Sequence, residues 1–262
     1  MTTPPPTAPT PPPSGSTSRR SRRWWYLGGA LALVVVLAGF GIWYFVFRDD
    51  SPSAVNIESA TESLDTRGSG SSNTSANGVD GTWTVDGSIG SFADFTSSFA
   101  GYRVQEELAG IGAKTAVGRT PAVTGTLTIA GKKISKADFV VDMTTLESDE
   151  DRRDGAIRDQ AIETTKFPTA TFELTRPIAL DAVPADGTTI SVDATGDLTL
   201  HGVTKEVTIP LQAELTGDVI AVTGEIDILF TDYDIAKPTS FAVVSIADDG
   251  ILEVQLFFTR QT

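Results

Sequence analysis

The chain offers few groups able to do covalent or metal chemistry. Among its 262 residues there is one histidine, His201, and no cysteine. His201 sits in the stretch GDLTLHGVTKEV, Gly196 to Val207. A histidine serves catalysis as a base held between a nucleophile and a carboxylate, and it serves zinc as one of several ligands. No serine here lies in a G-x-S-x-G elbow, and no second imidazole or any thiolate exists to complete a zinc site. The acid-rich stretch SDEDRRDG, Ser148 to Gly155, lacks the alternating acids around a central glycine that define a calcium loop. Neither a Walker nor a dinucleotide glycine pattern occurs. The expectation is a protein without catalytic residues, metal or cofactor.

The elements around His201 explain it in another way. Ile190, Val192, Ala194, Gly196, Leu198 and Leu200 alternate with polar residues, which is the period of a half-buried strand. The alternation resumes after Gly202 with Val203, Val207, Ile209, Leu211, Ala213 and Leu215, broken only by Lys205. Two strands separated by His-Gly make a hairpin, and the glycine supplies the positive φ such a turn needs. Similar runs recur at Thr82 to Asp86, Phe95 to Val104, Val123 to Ile129, Ile134 to Met143, Thr169 to Thr175, Val219 to Phe230, Phe241 to Ile246 and Ile251 to Thr259. Strands at this spacing predict an antiparallel sandwich or barrel over residues 82–262. Ser148 to Pro168 reads instead as a short, solvated helix at one barrel end. Ser148 is its N-cap, with i,i+4 pairs Asp149 with Arg153 and Asp154 with Arg158.

The N-terminal part differs in kind. Residues 1–23 are a Pro-rich tail, expected to be disordered, that ends in the basic cluster Arg19, Arg20, Arg22 and Arg23. From Trp24 to Phe47 the chain carries no charge, about 36 Å as a helix against about 30 Å of hydrocarbon, with aromatic residues at both ends. This predicts a transmembrane helix. A cleaved export signal is the rival, but the run is long for one and no A-x-A site follows. Arginines before the span place the N-terminus in the cytoplasm and everything after residue 50 outside. Residues 48–81 read as a flexible linker, in which Ala54 to Leu64 could form a short helix. With 20 Lys and Arg against 34 Asp and Glu, the formal charge is −14, and the one basic cluster precedes the apolar run. Nucleic acid is therefore not an expected partner.

Several segments together resemble the YceI-like family, extracytoplasmic bacterial proteins with a lipocalin-like barrel. They are TWTVDGS (Thr82 to Ser88), GTLTIAGKKISKADFVVDMTTLESDEDRRDGAIR (Gly125 to Arg158), TTKFPTATFEL (Thr164 to Leu174), GDLTLHGVTKEVTIPLQAEL (Gly196 to Leu215) and DYDIAKPTSFAVVSI (Asp232 to Ile246). YRVQEEL and VGRT look like a subgroup tethered by an N-terminal helix. The resemblance implies an all-β, lipocalin-like barrel that binds a long isoprenoid lipid in its apolar lumen without catalysing a reaction on it. The membrane enters as a partner through the N-terminal helix.

Candidate ligand-binding residues are Leu127, Ile129, Phe139, Val141, Phe172, Leu174, Leu198, Leu200, Val207, Ile209, Leu211, Ile226, Ile228 and Phe230. Each is equally readable as core packing. The alternative function is a structural or interaction module whose barrel is filled by its own side chains.

Overall fold

The computed structural model describes residues 35–37, 51–65, 78–239 and 243–261. The chain divides into two units, Met1–Arg48 and Asp49–Thr262. Of the first, only Val35 to Leu37 are described, and they are helical. The expected tail and the rest of the expected transmembrane helix lie outside the described residues. Among the described residues, no helix is long and apolar enough to cross a membrane.

The second unit is built on one antiparallel sheet. Its strands are β1 (Gly81–Val85), β2 (Phe99–Leu108), β3 (Gly112–Thr120), β4 (Val123–Ala130), β5 (Lys133–Asp142), β6 (Glu147–Ser148) and β7 (Thr169–Leu174). After these come β8 (Ile178–Ala179), β9 (Ile190–Leu200), β10 (Val203–Thr216), β11 (Val219–Leu229), β12 (Val243–Ile246) and β13 (Asp249–Arg260). Eight of them, in the order β1-β4-β5-β7-β9-β10-β11-β13, close into a barrel because β13 pairs back onto β1. Closure removes the sheet edges that would otherwise pair with other chains.

One edge of β13 is shared between two partners. Phe258 to Arg260 pair with β1, whereas Ile251 to Gln255 pair with β2. The sheet therefore branches, and β2, β3, β6 and β12 widen the barrel at one end. The other end is packed by Trp83, Leu127, Ile129, Ile220, Val222, Leu256 and Phe258. Trp83 Nε1 donates to the Val79 carbonyl at 2.9 Å, which ties the segment before β1 to this floor.

The long alternating runs become strands with ends shifted by a few residues. β3, β6 and β8 had no counterpart in the sequence reading. GAKTAVGRT in β3 interrupts its pattern with two glycines, and β6 and β8 are two-residue edge pieces too short to carry a period. The helix expected over Ser148 to Pro168 is much shorter. It is α2 (Asp151–Ala156) continued by a π-helical turn, Ile157–Ala161, and its N-cap is Glu150. (Helix α1 is Ile57–Asp65.) The expected pair Asp149 with Arg153 forms, but Asp154 is buried and accepts from Ser148 N and Oγ at 2.9 and 2.6 Å. Arg158 turns instead to the Leu146 carbonyl. The element is therefore partly built into the wall, not solvated.

A larger departure lies in the expected flexible linker. Residues 51–65 are seated on the barrel, and α1 buries Ile57 and Ala60 completely or nearly so against Ile89, Ala221 and Phe257. The Pro52 and Ser53 carbonyls accept from Arg103 and Arg119, each at 2.7 Å. A nine-residue helix has little stability of its own, so tertiary packing holds it.

Candidate functional site

His201 and Gly202 form the two-residue turn between β9 and β10, with φ of 52° and 75°. Positive φ at both positions is what lets the turn follow the right-handed twist of the strands. The imidazole is buried at 8% exposure, its Nδ1–H donates to the Tyr233 carbonyl at 2.9 Å, and Nε2 lies 3.2 Å from a Glu163 carboxylate oxygen. The Phe167 ring meets it edge-on at 4.5 Å. Hydrogen bonds from Lys166 first, and His201 second, hold the Glu163 carboxyl below its ordinary range. Both ring nitrogens are engaged, and no serine hydroxyl is among the partners. His201 ties the turn to two other loops.

The feature with room for chemistry is the barrel interior. A cavity of about 630 Å³ runs through the wide part of the barrel. That volume lies within the roughly 300–1,000 Å³ of small-molecule sites and far beyond the space of a single water. Its wall comes from the inward positions of the barrel strands, and Leu, Ile, Val, Phe and Ala dominate it. Leu127, Phe139, Val141, Phe172, Leu174, Leu198, Leu200, Ile209, Leu211, Ile226, Ile228 and Phe230 all line it.

Ile129 and Val207 do not. Ile129 is buried in the floor cluster with Trp83, and Val207 packs against the cluster around Leu198, Leu200 and Tyr233. Alternation assigns a residue to a face, but it does not say whether that face is hollow or packed at a given height.

Glycines set the shape of the wall at two places. Gly125 stands opposite Phe139, and a Cβ there would come 2.3 Å from Phe139 Cδ1. At Gly196 a Cβ would come 2.6 Å from Phe172 Cζ. Each ring lies across the neighbouring strand because that strand has no side chain there. Other wall residues had not been singled out from sequence. They come from β2, β13, α2 and the segment after β11, including Tyr102, Val104, Glu106, Arg153, Ile157, Ile235 and Leu252. The alternation AxYxVxExL over Ala100 to Leu108 was a usable signal for the β2 part, masked by the charges of Arg103, Glu106 and Glu107.

Glu106 is a buried charged group of this wall. Its carboxylate accepts from Arg153 Nη2 at 2.7 Å, and Arg153 also pairs with Asp149. Burial of the Tyr102 ring among these residues pushes its phenol well above the ordinary tyrosine range. Among the described residues, no group of three or more His, Asp or Glu is placed to hold a metal ion.

Residues 83–258 match the family model described as the YceI-like domain, about two thirds of the chain. The chain belongs to the YceI-like family. It is 40% identical over 103 residues to a UPF0312 protein of Vibrio parahaemolyticus, covering 38% of this chain and 50% of that one. Protein YceI of Shigella flexneri is 34% identical over 123 residues, covering 46% of this chain and 57% of that one. The chain thus spans about half the length of the curated relatives it matches. Among solved structures, a polyisoprenoid binding domain from Saccharophagus degradans, implicated in plant cell wall breakdown, superposes with a TM-score of 0.52 at 21% identity. It covers 68% of this chain and 98% of that one. This likeness is one of fold.

Proposed function

We propose that this protein binds a long isoprenoid lipid in the barrel cavity, without catalysis, and thereby stores, shields or transports it. The observation that carries the reading is the apolar cavity of about 630 Å³ inside a YceI-like barrel. An isoprenoid tail gains about 25 cal/mol for each Å² of surface taken out of water and needs no reactive group to hold it. The Saccharophagus neighbour, by its description, binds polyisoprenoid. The same proposal places the barrel outside the cytoplasmic membrane, with residues 24–47 as a single spanning helix and the N-terminus in the cytoplasm. The uncharged run and the arginines before it support that topology.

A side-chain-filled interaction module would need a close-packed interior, and the cavity argues against it. Organic extraction of the protein purified from membranes, followed by mass spectrometry, tests the lipid reading. Stoichiometric isoprenoid is the expected result. Extracts free of isoprenoid, together with failure to take up added polyprenyl lipid, would overturn it.

A further inference from the structure

One buried layer joins the segment on the outside of the barrel to the cavity inside it. Where β13 leaves β1, its residues Ile251 to Gln255 pair with Phe99 to Arg103 of β2. The two faces of this short ladder have different neighbours. Tyr102, Val104, Leu252 and Val254 line the cavity, and Gly101 and Glu253 also border it. On the outer face the Glu253 carboxylate, fully buried, lies 2.7 Å from Arg119 Nε and 3.7 Å from Arg103 Nη1.

Residues 51–56 form a strap over that outer face and lead into α1. The Pro52 carbonyl accepts from Arg103 Nη1 and the Ser53 carbonyl from Arg119 Nη2, each at 2.7 Å. The Val55 N–H donates to the carboxyl of Glu225, the residue opposite Glu253 on β11. Helix α1 then anchors the strap, with Ile57 and Ala60 buried against Ala221 and Phe257. The strap therefore supplies acceptors to guanidinium groups that are themselves buried, and removing it leaves those donors unmatched. Water reaching the Arg119–Glu253 pair would also weaken the attraction that ties β3 to β13 across β2. A nine-residue helix held by a few apolar contacts is the kind of element that opens without unfolding the barrel.

We propose that residues 51–65 act as a retention latch. Docked, they brace the β2–β13 ladder and hold the lipid in the cavity; lifted off, they let the ladder loosen and the lipid leave. The latch rests on the lipid-binding reading above and adds a control element on the side of the wall away from the ligand. Coupling between two sites is reciprocal, so lipid in the cavity also holds the strap down.

The test uses the full-length chain in a detergent suited to native mass spectrometry. Parent and Ile57→Asp chains are titrated with a long-chain polyprenol, and limited proteolysis reports whether the strap is free. The variant is expected to bind about ten times more weakly, within the usual range of coupling between sites. A second arm does not depend on that variant and decides alone if Ile57→Asp misfolds. Because the chain has no cysteine, Ala60→Cys places a single thiol at a position buried under the docked helix, where maleimide reaches it only when the strap lifts. Saturating polyprenol is expected to slow its labelling by the same factor, about tenfold. Parent-like affinity in a variant whose strap is free, or labelling of Ala60→Cys that polyprenol leaves unchanged, overturns the latch while lipid binding stands. A parent chain that takes up no polyprenol overturns the lipid-binding reading and the latch with it.

Discussion

At the scale of single residues, the sharpest feature is a buried ion cluster centred on Glu253. Arg119 Nε donates to Glu253 Oε1 at 2.7 Å, and Arg103 stands 3.7 Å from the other oxygen. Arg119 reaches Glu253 across β2 because Gly101, which pairs with both residues, has no side chain. A Cβ there would come 2.8 Å from Arg119 Cγ. The guanidinium also stacks on Phe95 and Phe99, at 4.5 and 4.3 Å from the ring centres. Arg119→Ala leaves a fully buried carboxylate short of its main partner, so chemical denaturation is expected to show a loss of about 3–5 kcal/mol. Combining it with Glu253→Leu should recover much of that loss, and a single-variant loss under about 1 kcal/mol would contradict the cluster's role. Glu225 lies directly opposite Glu253. Burial first, and the Glu253 charge second, hold its carboxyl above the ordinary range. The folded state then binds that proton more tightly than the unfolded chain, so stability falls as pH rises from the ordinary glutamate range through the raised one. Glu225→Gln keeps an acceptor for the Val55 N–H, and it is expected to stabilise by about 0.2–1 kcal/mol at pH 7 and by nothing below about pH 4. Equal melting shifts at both pH values would refute this. Arg103 and Arg119 did not stand out in the sequence, because Glu253, their partner, lies more than a hundred positions away and leaves no local pattern. His201 was legible because its turn is local, with an alternating strand on each side and a glycine at the second position.

Among the elements, the long strands could be read because each carries its own period of two. Helix α1 lies where Ala54 to Leu64 could form a short helix, but its docking onto the barrel could not be read in the same way. Ile57, Ala60 and Leu64 make a stripe at helical spacing, but the stripe is only three residues long, and what holds it is the outer surface of β11 and β13. Ile57 is fully buried there, so Ile57→Asp should release the segment while the barrel keeps its circular dichroism. Limited proteolysis reads this out. New cleavage between residues 51 and 80 is expected, and a digest identical to the parent's would contradict the docked helix. The two-residue strands and the shift from α to π turn at Ile157 likewise depend on neighbours, not on local propensity.

For the whole molecule, the fold class and the part of the cavity wall made by the long alternating strands were legible, because alternation sorts side chains to the two faces of a closed sheet. The branching of β13 between β1 and β2 was not, since nothing in a strand's own sequence fixes how many partners share its edge. That branch widens one end, opens the cavity and brings Tyr102 and Glu106 into its wall. The central claim is that this space holds an isoprenoid tail. Ile226 lines it and is only partly buried, so Ile226→Trp fills the lumen from within. The most direct measurement is native mass spectrometry of the parent and Ile226→Trp proteins, purified identically and offered the same polyprenyl lipid. The parent is expected to carry one isoprenoid per chain and the filled variant none, both with barrel-like circular dichroism. A parent that stays at its apo mass, or a folded variant that binds as tightly as the parent, would contradict the account.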